Sequence, residues 1–290
     1  MTKLFLTIAF AAMCVAAQAQ HMPAYQLFDK YGNKVDYGHM YGLAQRHQVT
    51  FFGELHNNAI AHWLKLELAK ALSEAKGDRF MMGAEMFEAD NQLILNEYLN
   101  GFISERNFRA EAKLWPNYNT DIRPLVELAR ERKIPFIATN IPRRYAAIVN
   151  RLGFDGLSGL SEDAKAYIAP LPVEFDPNLP GYKSMLEMTG LPGHMGAGNN
   201  LPKAQAIKDA TMAHFIFNAL KRNTVMLHFN GAFHSNNEEG IVWYLRRLNP
   251  NMRILTISTV EQESIDALEE EHKGLADIIL AVPTSMTKTH

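Results

Sequence analysis

The chain has 290 residues, 47% of them apolar and 21% charged, and 29 basic against 31 acidic side chains give a net charge of −2. That length carries one large core or a core with a sizeable insertion. The absence of any basic cluster beyond pairs such as Arg143-Arg144 and Arg246-Arg247 excludes a nucleic-acid partner.

Residues 1–19 form an expected signal peptide: Lys3 supplies the positive start, Leu4 to Val15 is apolar but too short to span a bilayer, and Ala17-Gln18-Ala19 offers small residues for cleavage. The expectation is an exported protein of the periplasm or cell surface. A buried N-terminal helix is the plainer alternative, and the lack of an amphipathic pattern speaks against it. The single cysteine, Cys14, lies in this segment. As a lipid-anchor acceptor it has Met13 before it, larger than the small residue such sites take. After cleavage no thiol remains, which excludes disulfides, thiolate catalysis and cysteine-ligated metals.

From His21 to His47 aromatics mix with turn residues, and Tyr31-Gly32-Asn33-Lys34 predicts a hairpin or loop against the core. Tyr25, Tyr31, Tyr37 and Tyr41 are read as packing residues, with a flat-ligand pocket as the alternative. Val49-Thr50-Phe51-Phe52 predicts a buried strand that Gly53 lets the chain leave, followed by Glu54 and His56. Two residues apart in extended chain, these two face the same space. Asn57-Asn58 caps a helix carrying Ile60, Leu64, Leu68 and Leu72, and Gly77 closes it.

The pattern recurs along the chain. Arg79 to Ala84 is a second strand ending in Glu85, with Glu88 as a helix-start charge, and Asp90 to Leu99 continues as helix. Residues 101–120 are expected to be helical, as is Asp121 to Lys133. A third strand, Ile134 to Thr139, leads through Asn140 and Pro142 to Arg143-Arg144-Tyr145. Two arginines in a first helical turn oppose the helix dipole, so either they serve an anionic group or they are plain surface charges. Six prolines and a glycine-rich loop around His194-Met195 interrupt the rhythm from Gly153 to Pro202, which predicts an inserted small helical subdomain. His194 and Met195 form a candidate axial-ligand pair, the ordinary reading being an exposed loop. Ala204 to Leu220 is a helix with Gln205, Asp209 and Met212 on one face. A fourth strand, Thr224 to Phe229, leads to His234. Gly240 to Leu248 and Glu261 to Glu271 are predicted helices, with strands at Arg253 to Ser258 and Asp277 to Val282.

The predicted class is α/β, a parallel sheet flanked by helices, with the core in 20–152 and 203–290 and an inserted smaller helical subdomain in 153–202. A parallel sheet gathers Glu54, His56, Glu85, Arg143 and His234 at the carboxyl ends of its strands, where ligands bind. Two acids and two histidines suit a divalent metal that activates water. Equally, Glu54 and His56 suit a metal-free acid–base pair. The HExxH, GxSxG, Walker and GxGxxG signatures are absent from the sequence.

Five runs, Gly53-Glu54-Leu55-His56-Asn57-Asn58, Ala84-Glu85-Met86-Phe87-Glu88 with Gln92, Thr139-Asn140-Ile141-Pro142-Arg143-Arg144, Gln205 to Ala213, and Gly231-Ala232-Phe233-His234 with Gly240-Ile241, together resemble the ChaN-like haem-binding uptake proteins of the Tiki superfamily. The resemblance implies an α/β domain with a smaller helical domain and haem (iron protoporphyrin) held at a homodimer interface. It also implies a role in haem or iron acquisition, with outer-membrane haem-uptake machinery as partner. Relatives carry glycine before the last histidine, where Phe233 stands here, so the pocket is narrowed or re-lined. A tyrosine ligand to the iron, with histidine near the propionates, is part of what the resemblance implies. Tyr167 and Tyr182 are candidates by their place in the small subdomain and Tyr145 by its place beside Arg144. With His56, Arg143, Arg144, His194 and His234 they make the candidate haem site. The wider superfamily implies the alternative, a peptide or ester hydrolase using Glu54, His56, Glu85 and His234, with a divalent metal or by acid–base catalysis.

Overall fold

The computed structural model describes residues 23–188 and 200–290. The predicted signal peptide with Cys14, and His194 and Met195, lie outside the described residues. Strand β1 (Gln26–Asp29) turns back into β2 (Lys34–Val35), and Asp36 caps α1 (Tyr37–Ala44) by accepting from the His39 amide at 2.7 Å. Strand β3 (Val49–Glu54) is buried along its whole length. Helix α2 (Ala59–Lys76) starts on Asn58, whose side chain accepts from the Ala61 amide, and stops at Gly77 with φ 53°. Then come β4 (Phe80–Glu88), α3 (Gln92–Leu99), α4 (Glu105–Glu111), α5 (Arg123–Arg132) and β5 (Phe136–Asn140). Helices α6 (Arg143–Leu152), α7 (Glu162–Lys165), α8 (Pro180–Met188) and α9 (Leu201–Ala219) follow. Strand β6 (Val225–Gly231), α10 (Ile241–Leu248), β7 (Ile254–Gln262) and β8 (Ile278–Pro283) complete the order.

The eight strands form one sheet in the order β2-β1-β8-β7-β3-β6-β4-β5. From β8 to β5 neighbours run parallel, while the β1–β2 hairpin adds an antiparallel edge. Strand β3 sits between β6 and β7, and Gly53 is opposite Asn230 and Ser258. Side-chain alternation splits the core. Phe52, Met82, Phe229 and Ile257 pack under α1 to α5, while Val49, Phe51, Met81 and Met226 pack against α6, α9 and α10. Buried Leu157, Ile168 and Ala169 belong to the second layer.

Several local expectations change. Gly53 lies inside β3 and does not release the chain from it: a Cβ there would stand 2.9 Å from the Ala232 Cα and the Ile257 carbonyl oxygen, so the backbones meet where only glycine fits. Strand β4 runs on through Glu88, with a register shift between Ala84 and Glu88. Of residues 101–120 only Glu105–Glu111 is α-helical. The predicted helix at Glu261 to Glu271 is absent except for a 3-10 turn at Glu270–His272. Val260 and Gln262 pair instead with Ala281 and Pro283 of β8, so sheet pairing overrides the helix preference of a glutamate-rich run.

Candidate functional site

The strand ends carry two buried polar knots, one under each face of the sheet, which meet at Gly231. The first is built on Glu54, 1% exposed at the end of β3. One carboxylate oxygen accepts from the ammonium of Lys65, and the other lies 3.1 Å from His56 Nδ1. Lys65 is fully buried on α2 and also lies over the Phe229 ring, 5.7 Å from its centre. Burial raises the Glu54 carboxyl, but the Lys65 charge and the His56 hydrogen bond outweigh it and hold it below the ordinary carboxylate range. His62, one turn before Lys65, donates from Nε2 to the His56 carbonyl at 2.8 Å. Burial, then the Lys65 charge, lowers its pKa, so it stays neutral with Nδ1 unbonded. Asp121 lies 3.3 Å from His62 Nε2 and accepts from Asn117 at 2.9 Å.

The second knot is built on His234, in the 3-10 turn after β6. Its Nδ1 donates to Asp209 of α9 at 2.5 Å and its Nε2 lies 3.2 Å from Glu85 of β4. The other Glu85 oxygen accepts from the Gly231 amide at 2.7 Å, and the other Asp209 oxygen accepts from the Tyr182 hydroxyl at 2.8 Å. Gln205 covers the ring, its amide nitrogen 3.0 Å from Nδ1. Burial lowers the imidazole pKa, but the Glu85 and Asp209 charges prevail and raise it to about 10, so His234 is an imidazolium at neutral pH. Burial lifts the Glu85 carboxyl, yet His234 and the Gly231 amide hold it far below its ordinary range. For Asp209 burial dominates and its carboxyl is pushed up.

His56 joins the two knots. A Cβ on Gly231 would stand 2.8 Å from His56 Nε2 and 3.6 Å from Glu85 Oε2, so glycine at the end of β6 lets the ring reach the neighbouring strand. Burial lowers the His56 pKa, while the Glu54 hydrogen bond and the Glu85 charge raise it more. Its side chain is 36% exposed and meets Trp115 edge-on at 5.0 Å. Behind it, His228 on β6 is fully buried and neutral, its pKa lowered to about 4 by burial. Its ring bonds Thr139 at 2.8 Å.

The structure thus brings Glu54 to His56 and Glu85 to His234. The four do not form a close ligand set: among the described residues, the trio of ligand atoms lying within 4.8 Å of one another is that of Glu269, Glu271 and His272. Arg143 is exposed at the start of α6 without an ion pair among the described residues, whereas Arg144 bonds Asp90 at 2.5 Å and stacks on Tyr145 at 4.4 Å. Tyr145 is buried and accepts from Arg144 at 3.2 Å. Tyr182 is buried, and burial followed by the Asp209 charge pushes its phenol well above the ordinary range, opposite to what a tyrosinate ligand needs. Tyr167 is exposed. Sequence reasoning missed Lys65, His62, Asp121 and the pairing of Asp209 with His234. Lys65 had a legible signal, because it falls four residues after Ala61 and three before Leu68, on the apolar face of α2.

The fold and its paired strand-end knots define an α/β protein with a mostly parallel sheet and a polar site at the sheet's carboxyl edge. Residues 40–245 match the family described as haem-binding uptake, Tiki superfamily, ChaN, and the chain belongs to that family. Among solved structures, ChaN of Campylobacter jejuni, described with cofacially bound haem, superposes with a TM-score of 0.67 at 17% identity, covering 88% of this chain and 96% of that one. A succinoglycan biosynthesis protein matches with a TM-score of 0.52 at 13% identity, over 87% of this chain and 91% of that one. An erythromycin esterase in its open conformation matches at 0.50 and 12%, over 83% and 77%. At these identities the likeness is one of fold. No curated protein matches the chain significantly.

Proposed function

We propose that this is an exported haem-binding protein of haem or iron acquisition, which holds its cargo over the strand carboxyl ends. In this reading two protomers share the haem face and hand it on to outer-membrane uptake machinery. Membership of the haem-binding uptake family carries the reading. The residues at this edge fit a flat, anionic macrocycle. Phe233 presents a ring that is 42% exposed, His56 offers a partly exposed imidazole, and Arg143 is a cation with no ion pair among the described residues. The aromatic and imidazole groups would line the porphyrin, and Arg143 would take a propionate. Among the candidate tyrosines, Tyr167 has an exposed ring, whereas Tyr145 and Tyr182 already bond Arg144 and Asp209. Titrating the mature protein with haem tests this: a saturable Soret shift is expected, weakened in His56→Ala and Arg143→Ala, with sedimentation showing paired protomers. The absence of a Soret change at micromolar haem removes the reading.

A second reading, ester or peptide hydrolysis, rests on one feature: Glu54 fixes Nδ1 of a part-exposed His56, leaving Nε2 as the atom for proton transfer. His234 does not serve as a base here, because it is already charged between two acids. Turnover of a model ester that vanishes in His56→Ala and persists without haem supports this second reading. No turnover eliminates it.

A further inference from the structure

The aromatic N-terminal stretch makes a cleft that the strand-end site does not use. On the outer face of α2, Trp63, Glu67, Lys70 and Glu74 recur at spacings of four, three and four, forming one stripe. Tyr25, ahead of β1, and Tyr37, at the start of α1, stand across from it and enclose a cleft of about 360 Å³. Trp63 is 48% exposed, an unusual position for so large a ring, and it tilts against Tyr25 at 6.0 Å. Tyr37 is braced by stacking on Tyr41 at 6.3 Å.

Charge in the cleft is already balanced. Glu67 pairs with Lys70 at 2.8 Å, and Glu74 pairs with Arg132 at 3.0 Å. An ion entering there meets no uncompensated opposite charge. What the cleft offers is aromatic faces beside alternating acceptors and donors: two carboxylates, one ammonium and two phenols. Burial, then the Glu67 charge, pushes the Tyr37 phenol up to about 12, so its hydroxyl remains a donor. Aromatic walls with a few placed polar groups are the surface of a small-molecule site. A pyranose has the matching surface, an apolar face of C–H groups and a rim of hydroxyls that both donate and accept.

We propose that the α1–α2 cleft is a second ligand site that takes an uncharged saccharide, with the sugar's apolar face on Trp63 and its hydroxyls on Glu67, Lys70 and Tyr37. The site is independent of haem. Calorimetric titration of the mature protein with maltotetraose, with the N-acetylglucosamine tetrasaccharide and with tetramethylammonium tests it. At least one sugar is expected to bind saturably at millimolar concentration, with a tenfold or greater loss in Trp63→Ala and a smaller loss in Glu67→Gln. Both variants should keep the wild-type circular dichroism and haem spectrum. The proposal is overturned if neither sugar binds, if Trp63→Ala binds sugar as the wild type does, or if tetramethylammonium alone occupies the cleft.

Discussion

Replacing His234 by alanine removes the cation that separates two buried acids. Asp209 and Glu85 are 0% and 6% exposed, and the ring bonds them at 2.5 and 3.2 Å. Deleting one member of a buried charged set costs about 3–5 kcal/mol, because the remaining charges stay desolvated. The Tyr182 hydroxyl and the Gly231 amide still serve one oxygen each, which keeps the loss from running higher. In a chain of this size that corresponds to roughly 6–20 °C in Tm. The pH dependence carries a definite sign. The His234 pKa rises from 6.5 unfolded to about 10 folded, so its contribution is complete below 6.5, declines above it and is lost as pH rises through 10. Glu85 is depressed, so its contribution is present above 4.5 and disappears on acidification. Wild-type stability from these two groups is therefore greatest between 4.5 and 6.5. Urea unfolding at about pH 5, 7 and 9 measures this. The variant's deficit should be largest near neutrality and shrink at the acid end, where its buried carboxylates take up protons. A deficit below about 1 kcal/mol at neutral pH, or wild-type stability that does not fall from neutral to alkaline pH, refutes a charged His234.

Lys65→Met leaves Glu54 buried without its ammonium partner and should cost about 3–5 kcal/mol. Adding Glu54→Gln should recover part of that, and an additive double-mutant cycle would show that the two groups do not interact. Gly231→Ala places a methyl 2.8 Å from His56 Nε2, so it should displace the ring and cost about 1–3 kcal/mol. An unchanged melt together with an unchanged His56 titration by NMR would contradict the close approach. Arg143→Ala should leave stability within about 0.5 kcal/mol, whereas Arg144→Ala should lose about 0.2–1 kcal/mol with its Asp90 pair. Haem affinity should fall for Arg143→Ala alone, and equal affinities for both variants would show that Arg143 does not contact the cargo.

The strands were legible where burial is continuous. Val49 to Phe52 and Thr224 to Phe229 consist, apart from His228, of β-branched and apolar residues, and both runs lie in the middle of the sheet, covered on two faces. Lengths were less legible. Glu261 and Gln262 carry no strand preference, and they extend β7 only because β8 lies alongside to receive them. The β1–β2 hairpin was visible from Gly32 and Asn33, but its joining the sheet depends on antiparallel pairing of Leu27 with Leu280, a contact across most of the chain.

Strand-end position identified Glu54, Glu85 and His234, because a parallel sheet aligns those ends whatever lies between them in sequence. It did not show that they divide into two sets. Glu54 is held by Lys65 of α2 beneath one face, while Glu85 is held by His234 and the Gly231 amide beneath the other and His234 in turn by Asp209 of α9, so which acid pairs with which histidine depends on helices that a strand pattern does not place. The partners Lys65 and Asp209 sit on the buried faces of their helices, where a charged residue breaks the apolar periodicity. Such a break is physically informative, because an unpaired charge at that depth is too costly to keep, so a lysine or aspartate in an apolar stripe implies an opposite charge facing it. Applied to α2 and α9, this rule calls for an acid opposite Lys65 and a cation opposite Asp209, and Glu54 and His234 are the groups the strand ends supply. Gly231 completes the arrangement: without a side chain there, His56 reaches across β6 to the field of Glu85 and becomes the one partly exposed imidazole that both knots influence.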